Sequence, residues 1–141
     1  MAASSEQLLM LWQQKGRSIL EFASPVFFSR LTNEQSKEIE DCQRKAFAII
    51  LQNEFYSYNR ALQRLGQERL SARRTSAAIK FGEKCLQNPK HSDMFPRSLP
   101  GRVNMRGERL PFHEQLCRTE RLSDSSIPAI TRLLNEKYRV E

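Results

Sequence analysis

Seven cationic side chains stand close together in the middle of the chain: Arg60, Arg64, Arg69, Arg73, Arg74, Lys80 and Lys84. Cations at that density can bind phosphate, because each guanidinium or ammonium set against a nucleic-acid backbone displaces a condensed counterion, which favours association without reading a base. Residues 60–84 carry a net charge of +5, against −1 for residues 1–59 and +3 for residues 85–141, so most of the formal +7 lies there. On a helix over this stretch, Arg73, Lys80 and Lys84 fall within about 40° of one another, a stripe able to follow a phosphate backbone. Arg97, Arg102, Arg106 and Arg109 form a looser second set. The ordinary alternative for such charges is a solvated face that keeps the chain in solution. Phe55, Tyr56 and Tyr58 lie just upstream, and aromatics so placed either stack on bases or anchor a core.

Other constellations that carry chemistry are incomplete. A hydrolase needs a nucleophile, a base and an orienting acid, and a zinc site needs three or four donors. His91 and His113 are the only histidines. Cys117 follows His113 by four positions, the spacing of neighbours on a helix, yet no third ligand or acid accompanies them, so no catalytic or metal role is expected. Cys42, Cys85 and Cys117 make no Cys-x-x-Cys pair and read as core residues or free thiols. Neither the dinucleotide-binding glycine fingerprint nor a Walker loop occurs, and no cofactor is expected.

A chain of 141 residues, 39% apolar and 28% charged, suffices for a hydrophobic core but not for polymerase, nuclease or ATPase domains side by side. Its longest uncharged runs, such as Gln7–Gln14, Phe22–Ser29 and Ala46–Asn53, fall far short of the ~20 residues that cross a bilayer, so no membrane partner is expected. The first residues, Met-Ala-Ala-Ser-Ser-Glu, lack the basic leader of a secretory signal, and an intracellular location, nuclear or cytoplasmic, is expected.

The elements that must position the cations read as helices. Ser4 with Gln7, and Thr32 with Gln35, are capping-box starts. The first precedes a helical pattern up to about Phe22, stopped by Pro25; the second opens an amphipathic helix with Ile39, Cys42, Ala46, Phe47, Ile49 and Ile50 on one half and Glu40, Asp41, Arg44 and Lys45 on the other. Glu40 with Arg44 and Asp41 with Lys45 are favourably spaced pairs for that wet face. Asn59–Leu65 reads as a short helix ended by Gly66, and Ser71–Gln87 as a longer one ended by Asn88-Pro89. In the latter Ala77, Phe81 and Cys85 share one side and Ile79 and Leu86 lie nearly opposite, which predicts contacts on two sides. A last short helix is predicted to begin near Ser126, with Pro128 in its first turn and Ile127, Ile130, Leu133 and Leu134 as its apolar face. The expected fold is mainly α, a small irregular bundle of four to five helices. Its expected parts are a helical domain over residues 1–88, an irregular basic linker over 89–111, and a C-terminal segment with a short helix over 112–141.

Several stretches taken together carry a resemblance. They are Ile19-Leu20-Glu21-Phe22-Ala23-Ser24-Pro25-Val26; Leu31-Thr32 with Ile39-Glu40, Gln43-Arg44-Lys45-Ala46 and Ile49-Ile50; and Tyr58, Ala61-Leu62 and Leu65-Gly66. Leu70, Arg73-Arg74, Lys80-Phe81, Lys84-Cys85-Leu86, Pro89-Lys90-His91 and Phe95-Pro96 continue the set, and Thr119-Glu120-Arg121-Leu122, Ser125-Ser126-Ile127-Pro128 and Leu133-Leu134-Asn135 close it. In order and spacing these resemble the C-terminal part of the polymerase polyprotein of non-LTR (LINE-type) retrotransposons, in the jockey-like and related animal groups. The resemblance implies a helical segment, thumb-side and beyond, that helps hold RNA or DNA near a reverse-transcriptase core. It does not bring that core with it: no Asp-Asp dipeptide is present to hold paired metal ions. The endonuclease usual in the family is also absent, and the residue after Val26, commonly tryptophan there, is Phe27.

The resulting expectation is a noncatalytic fragment that binds RNA or DNA backbone without sequence specificity, with the rest of a reverse transcriptase as a further partner. Arg73, Arg74, Lys80 and Lys84 are its principal phosphate contacts, Arg60, Arg64 and Arg69 come next, and Arg97, Arg102, Arg106 and Arg109 form the looser patch. Two alternatives stand beside it. One is a helical protein-interaction module docking through Leu8, Trp12, Phe27, Phe28 and Phe47; the other is a truncated relic with no selected role.

Overall fold

A computed structural model describes residues 3–104 and 106–139. The chain is mainly α-helical, as expected, with no β-strand among the described residues. Helix α1 (Ser5–Leu11) runs through a π-helical segment (Trp12–Arg17) into α2 (Ser18–Glu21), followed by α3 (Ser24–Phe27), α4 (Asn33–Leu51), α5 (Tyr58–Arg64), α6 (Leu70–Gln87), α7 (Glu120–Ser123) and α8 (Ser126–Lys137). The five predicted helices are the continuous helix over 5–21, α4, α5, α6 and α8; α3 and α7 are single turns that periodicity does not reveal.

Local chemistry sets the ends. The Ser4 hydroxyl accepts from the Gln7 amide at 3.3 Å while the Gln7 side chain accepts from the Ser4 amide at 3.0 Å, and Thr32 with Gln35 repeats the exchange at 3.1 Å each way. Both predicted capping boxes therefore form, each satisfying two otherwise unpaired donors. Helix α5 is capped by Ser57 and stops at Gly66, whose φ is +60°. The Gln67 amide donates back to Leu62 at 2.8 Å and the Gly66 amide to Gln63 at 3.2 Å, the paired bonds of a Schellman ending.

The chain divides into two compact units, and the division falls inside α6 instead of at residue 88. The first unit comprises the residues up to Ser24 together with Leu31–Arg74. Its core is Phe47, Ile50 and Leu51 of α4 against Ala61 and Leu62 of α5, with Leu8, Leu9, Trp12, Phe55, Tyr58 and Leu65 packed around them. Leu8, Trp12 and Phe47, expected on a docking surface, are thus committed to this core. Two residues of the predicted apolar half of α4 are placed otherwise: Cys42 is exposed and Ile49 is 67% exposed.

The second unit holds Pro25–Arg30 and the residues from Thr75 onward. Ala78 and Cys85 of α6, Ile130 and Leu134 of α8, and Phe95 and Phe112 form its core, with Phe28, Ile79, Leu86, Met94 and Leu133 packed on it. Phe28, another residue expected on a docking surface, is therefore a core neighbour. The core face of α6 is made by small residues and not by Phe81, which is 41% exposed. A Cβ placed on Gly82 meets Ile130 Cγ2 at 2.7 Å and Leu134 at 3.0 Å, so the absent side chain is what lets α8 approach. Gly82→Ala is accordingly expected to destabilise the unit by about 1 kcal/mol, because overpacking outweighs the gain of roughly 1 kcal/mol in helix propensity. Faster amide hydrogen exchange along α8 checks this; unchanged exchange contradicts the close approach.

The described residues of 89–111 have irregular backbone apart from a 3-10 turn at Ser92–Met94, and the expected linker stretch contributes Phe95 to the core of the second unit. Phe95 and Phe112 are 1% and 3% exposed, and between them the chain doubles back through an isolated antiparallel bridge, Arg97 with Phe112. The Ser98 amide donates to Pro111 at 3.0 Å and the His113 amide to Pro96 at 2.8 Å. Asn135 of α8 seals the return: its Oδ1 accepts from the Phe112 amide at 2.8 Å and its Nδ2 donates to the Phe112 carbonyl at 3.1 Å. Among the described residues no helix is long and apolar enough to cross a membrane.

Candidate nucleic-acid interface

In the first unit three exposed cations of the basic stretch, Arg60, Arg64 and Arg69, stand on and beside α5, while Lys15, Lys37, Arg44 and Lys45 are exposed on the N-terminal helix and α4. The Ser57 hydroxyl accepts from the Arg60 amide at 3.3 Å, which starts the helix and sets Arg60 and Arg64 one turn apart on the same side. The Arg60 guanidinium lies over the Tyr56 ring, 5.5 Å from its centroid, and Arg64 pairs with Glu54 in an exposed ion pair. Arg69 donates to Asn59 Oδ1 at 2.7 Å and lies over the Tyr58 ring at 5.5 Å. These contacts orient the three guanidinium groups while leaving them in water.

The three aromatics divide. Phe55 and Tyr58 are half-buried and pack on the core, and Tyr56 is 73% exposed. Tyr58 is tied down further by its hydroxyl, which donates to Glu40 Oε1 and accepts from Gln43 Nε2 at 3.0 Å. Burial first, then the bond to Glu40, raises the hydroxyl pKa well above its ordinary value, so the group stays a donor. Glu40 does not pair with Arg44, which instead meets Asp41 at 3.1 Å. Its carboxylate accepts from the Leu70 and Ser71 amides at 3.1 and 3.3 Å, capping α6 from across the unit. Gln43, only 1% exposed, also donates to the Glu68 carbonyl at 3.0 Å.

Two of the expected principal contacts are engaged inside this unit. Arg73 makes a two-bond ion pair with Glu21, its Nη2 at 3.0 Å from Oε2, and that pairing raises its pKa. Arg74 is 4% exposed and its Nη2 donates to the Ser36 hydroxyl at 2.9 Å; burial lowers its pKa, partly offset by Glu40 and Glu21. A guanidinium so enclosed cannot meet a phosphate on the surface, so Arg74 belongs with the packing of α6 and not with the exposed cations. The spacing of Arg73 and Arg74 held no sign of this, because Glu21 and Ser36 lie far away in sequence.

In the second unit Lys80 and Lys84 are exposed on α6. Arg97, Arg102, Arg106 and Arg109 are exposed as well, with the Arg97 guanidinium 5.7 Å from the Phe112 ring centroid. Arg102 and Arg106 border a cleft of about 800 Å³ that also meets Arg132, Arg139, Glu108 and Glu114. Arg139 pairs with Glu108, so the cleft mixes both signs of charge and is no uniform phosphate track. Cys117 points its thiol at the Gln115 carbonyl, 3.4 Å away, in irregular chain and not on a helix with His113. Among the described residues no group of three or more His, Cys, Asp or Glu could hold a metal ion. No family model, no curated protein and no solved structure matches the chain.

Proposed function

We propose that this chain is a noncatalytic module that grips the backbone of RNA or DNA without reading sequence, as its resemblance to the C-terminal region of LINE-type reverse transcriptases implies. The observation that carries the reading is that five of the seven cations of residues 60–84 remain exposed once Arg73 and Arg74 are set aside, with Arg60, Arg64 and Arg69 held in solvent around one short helix. Lys80, Lys84 and the arginines from Arg97 to Arg109 supply the second unit's share. The mechanism is counterion release, so affinity falls steeply with salt.

Replacing Arg60, Arg64 and Arg69 together by glutamine is expected to weaken binding to unrelated sequences alike. It should also flatten the slope of log affinity against log salt by about 2 on single strands, at ~0.7 for each phosphate that is no longer neutralised. Fluorescence anisotropy with labelled RNA and DNA across a salt series measures both quantities. Equal affinity and slope for wild type and variant would overturn the assignment of these three residues.

A second reading, a helical module that docks on a protein such as the polymerase body, is supported by Met10, Leu11, Ile19 and Phe22, which stand exposed on and just beyond the N-terminal helix. Of the docking residues expected from sequence, Leu8, Trp12, Phe28 and Phe47 pack in the cores, and Phe27 is partly exposed. Preference for an acidic protein over nucleic acid in the same assay would favour it.

A further inference from the structure

We propose that Tyr56 is a base-stacking platform and that the nucleic acid taken by the first unit is therefore single-stranded. This inference rests on the reading just given and names the kind of polyanion. Tyr56 stands between two anchored neighbours: Phe55 packs on the core, and Tyr58 is fixed by its ring and its hydroxyl. The backbone at Tyr56 is thereby pinned while its own ring stays 73% exposed. An aromatic ring left in water between two that are packed forgoes burial, which points to a surface use for it.

The ring does not stand alone. Arg60 holds its guanidinium over one face at 5.5 Å, and Arg64, in its exposed ion pair with Glu54, follows one turn along α5. Each recognition element of an unpaired nucleotide has a counterpart here: a flat apolar ring for the base, and cationic donors beside it for the phosphate. Bases of a duplex are stacked on one another and cannot reach such a ring, whereas unpaired bases of RNA or DNA can. Every base has a π-face, so a platform of this kind is tolerant of sequence, in keeping with binding that follows the backbone.

The test compares the 141-residue chain and its Tyr56→Ala, Tyr56→Phe and Arg60→Gln variants, using oligo(U) RNA, oligo(dT) DNA and a DNA duplex of equal length at fixed salt. Tyr56→Ala is expected to lower the single-strand over duplex preference by about tenfold, the size of one base stack. Tyr56→Phe should retain that preference within about twofold, since the π-face is kept. Arg60→Gln should weaken all three ligands, with the RNA and DNA arms deciding which strand is preferred. A Tyr56→Ala loss shared equally by single strands and duplex overturns the stacking role, as does no loss at all. A wild-type chain that binds none of the three overturns the nucleic-acid reading itself, so the two failures are distinguishable. Circular dichroism of each variant confirms that folding is intact, as substitution at an exposed ring should leave it.

Discussion

Phe47→Ala is expected to lower the stability of the first unit by about 3–5 kcal/mol, the usual loss when a fully buried aromatic ring is truncated. Phe47 is 0% exposed, and it lies where α4 meets α5, in the cluster with Ile50, Leu51, Ala61 and Leu62. Its ring stands 6.1 Å from that of Tyr58 and is tilted 31° to it, so truncation removes apolar packing and also a wall that holds Tyr58 in register with Glu40 and Gln43. Phe47→Leu, which fills most of the cavity, is expected to cost about half as much. The reporter is built in: Trp12 is the chain's single tryptophan and packs on this core, so a urea titration followed by its fluorescence reads the first unit directly. A fall of the midpoint equivalent to less than about 1 kcal/mol would mean that the α4–α5 contact is not the centre of this unit.

Features legible in the sequence share one property: the residues that decide them lie within a few positions of one another. The Ser4–Gln7 and Thr32–Gln35 boxes, the Gly66 stop and the start of α8 with Pro128 in its first turn are all closed by local hydrogen bonds or local φ values. The mainly helical class follows from the same signals. What misled was the assumption that an apolar stripe names its own core. On α6 the small residues Ala78 and Gly82 face α8 while Phe81 points to water, because closeness of helices and not side-chain size decides which face is buried there. The segment after Pro89 lacks periodicity, yet two isolated rings, Phe95 and Phe112, are buried in the core of the second unit, and Asn135 closes the return of the chain.

Legibility of the candidate site follows the same division. The charge concentration was visible from composition alone, and Arg60, Arg64 and Arg69 are exposed in keeping with it. Arg73 and Arg74 have the same side chains at equally suggestive spacing, but partners distant in the chain engage one and bury the other. Among Phe55, Tyr56 and Tyr58, a pattern of types could not say which ring is left in water. Only the packing of the two flanking rings decides that Tyr56 is the exposed one.

Glu40→Ala is expected to cost the first unit about 3 kcal/mol, far more than removal of a solvated helix carboxylate at that position would. Three groups lose their acceptor at once: the Tyr58 hydroxyl, the Leu70 amide and the Ser71 amide. Loss of a cap at the start of α6 accounts for about 1 kcal/mol, and removal of a negative charge from that helix end for about 0.3–1 kcal/mol more. The Tyr58 hydroxyl, left with Gln43 as its only partner among the described residues, adds the cost of a donor facing no acceptor, about 1–3 kcal/mol. Arg74 suffers as well, since Glu40 is the first of two carboxylates that offset its burial. Glu40→Gln separates shape from charge. Its side-chain oxygen can still accept from one amide while the countercharge is gone, so its expected cost is about half that of alanine. Trp12 fluorescence in urea gives the total, and hydrogen exchange at the Leu70 and Ser71 amides locates it. If both amides stay protected in Glu40→Ala, the start of α6 is held by something other than this carboxylate; if they open while Phe47 and its neighbours remain folded, the carboxylate acts on the cap alone.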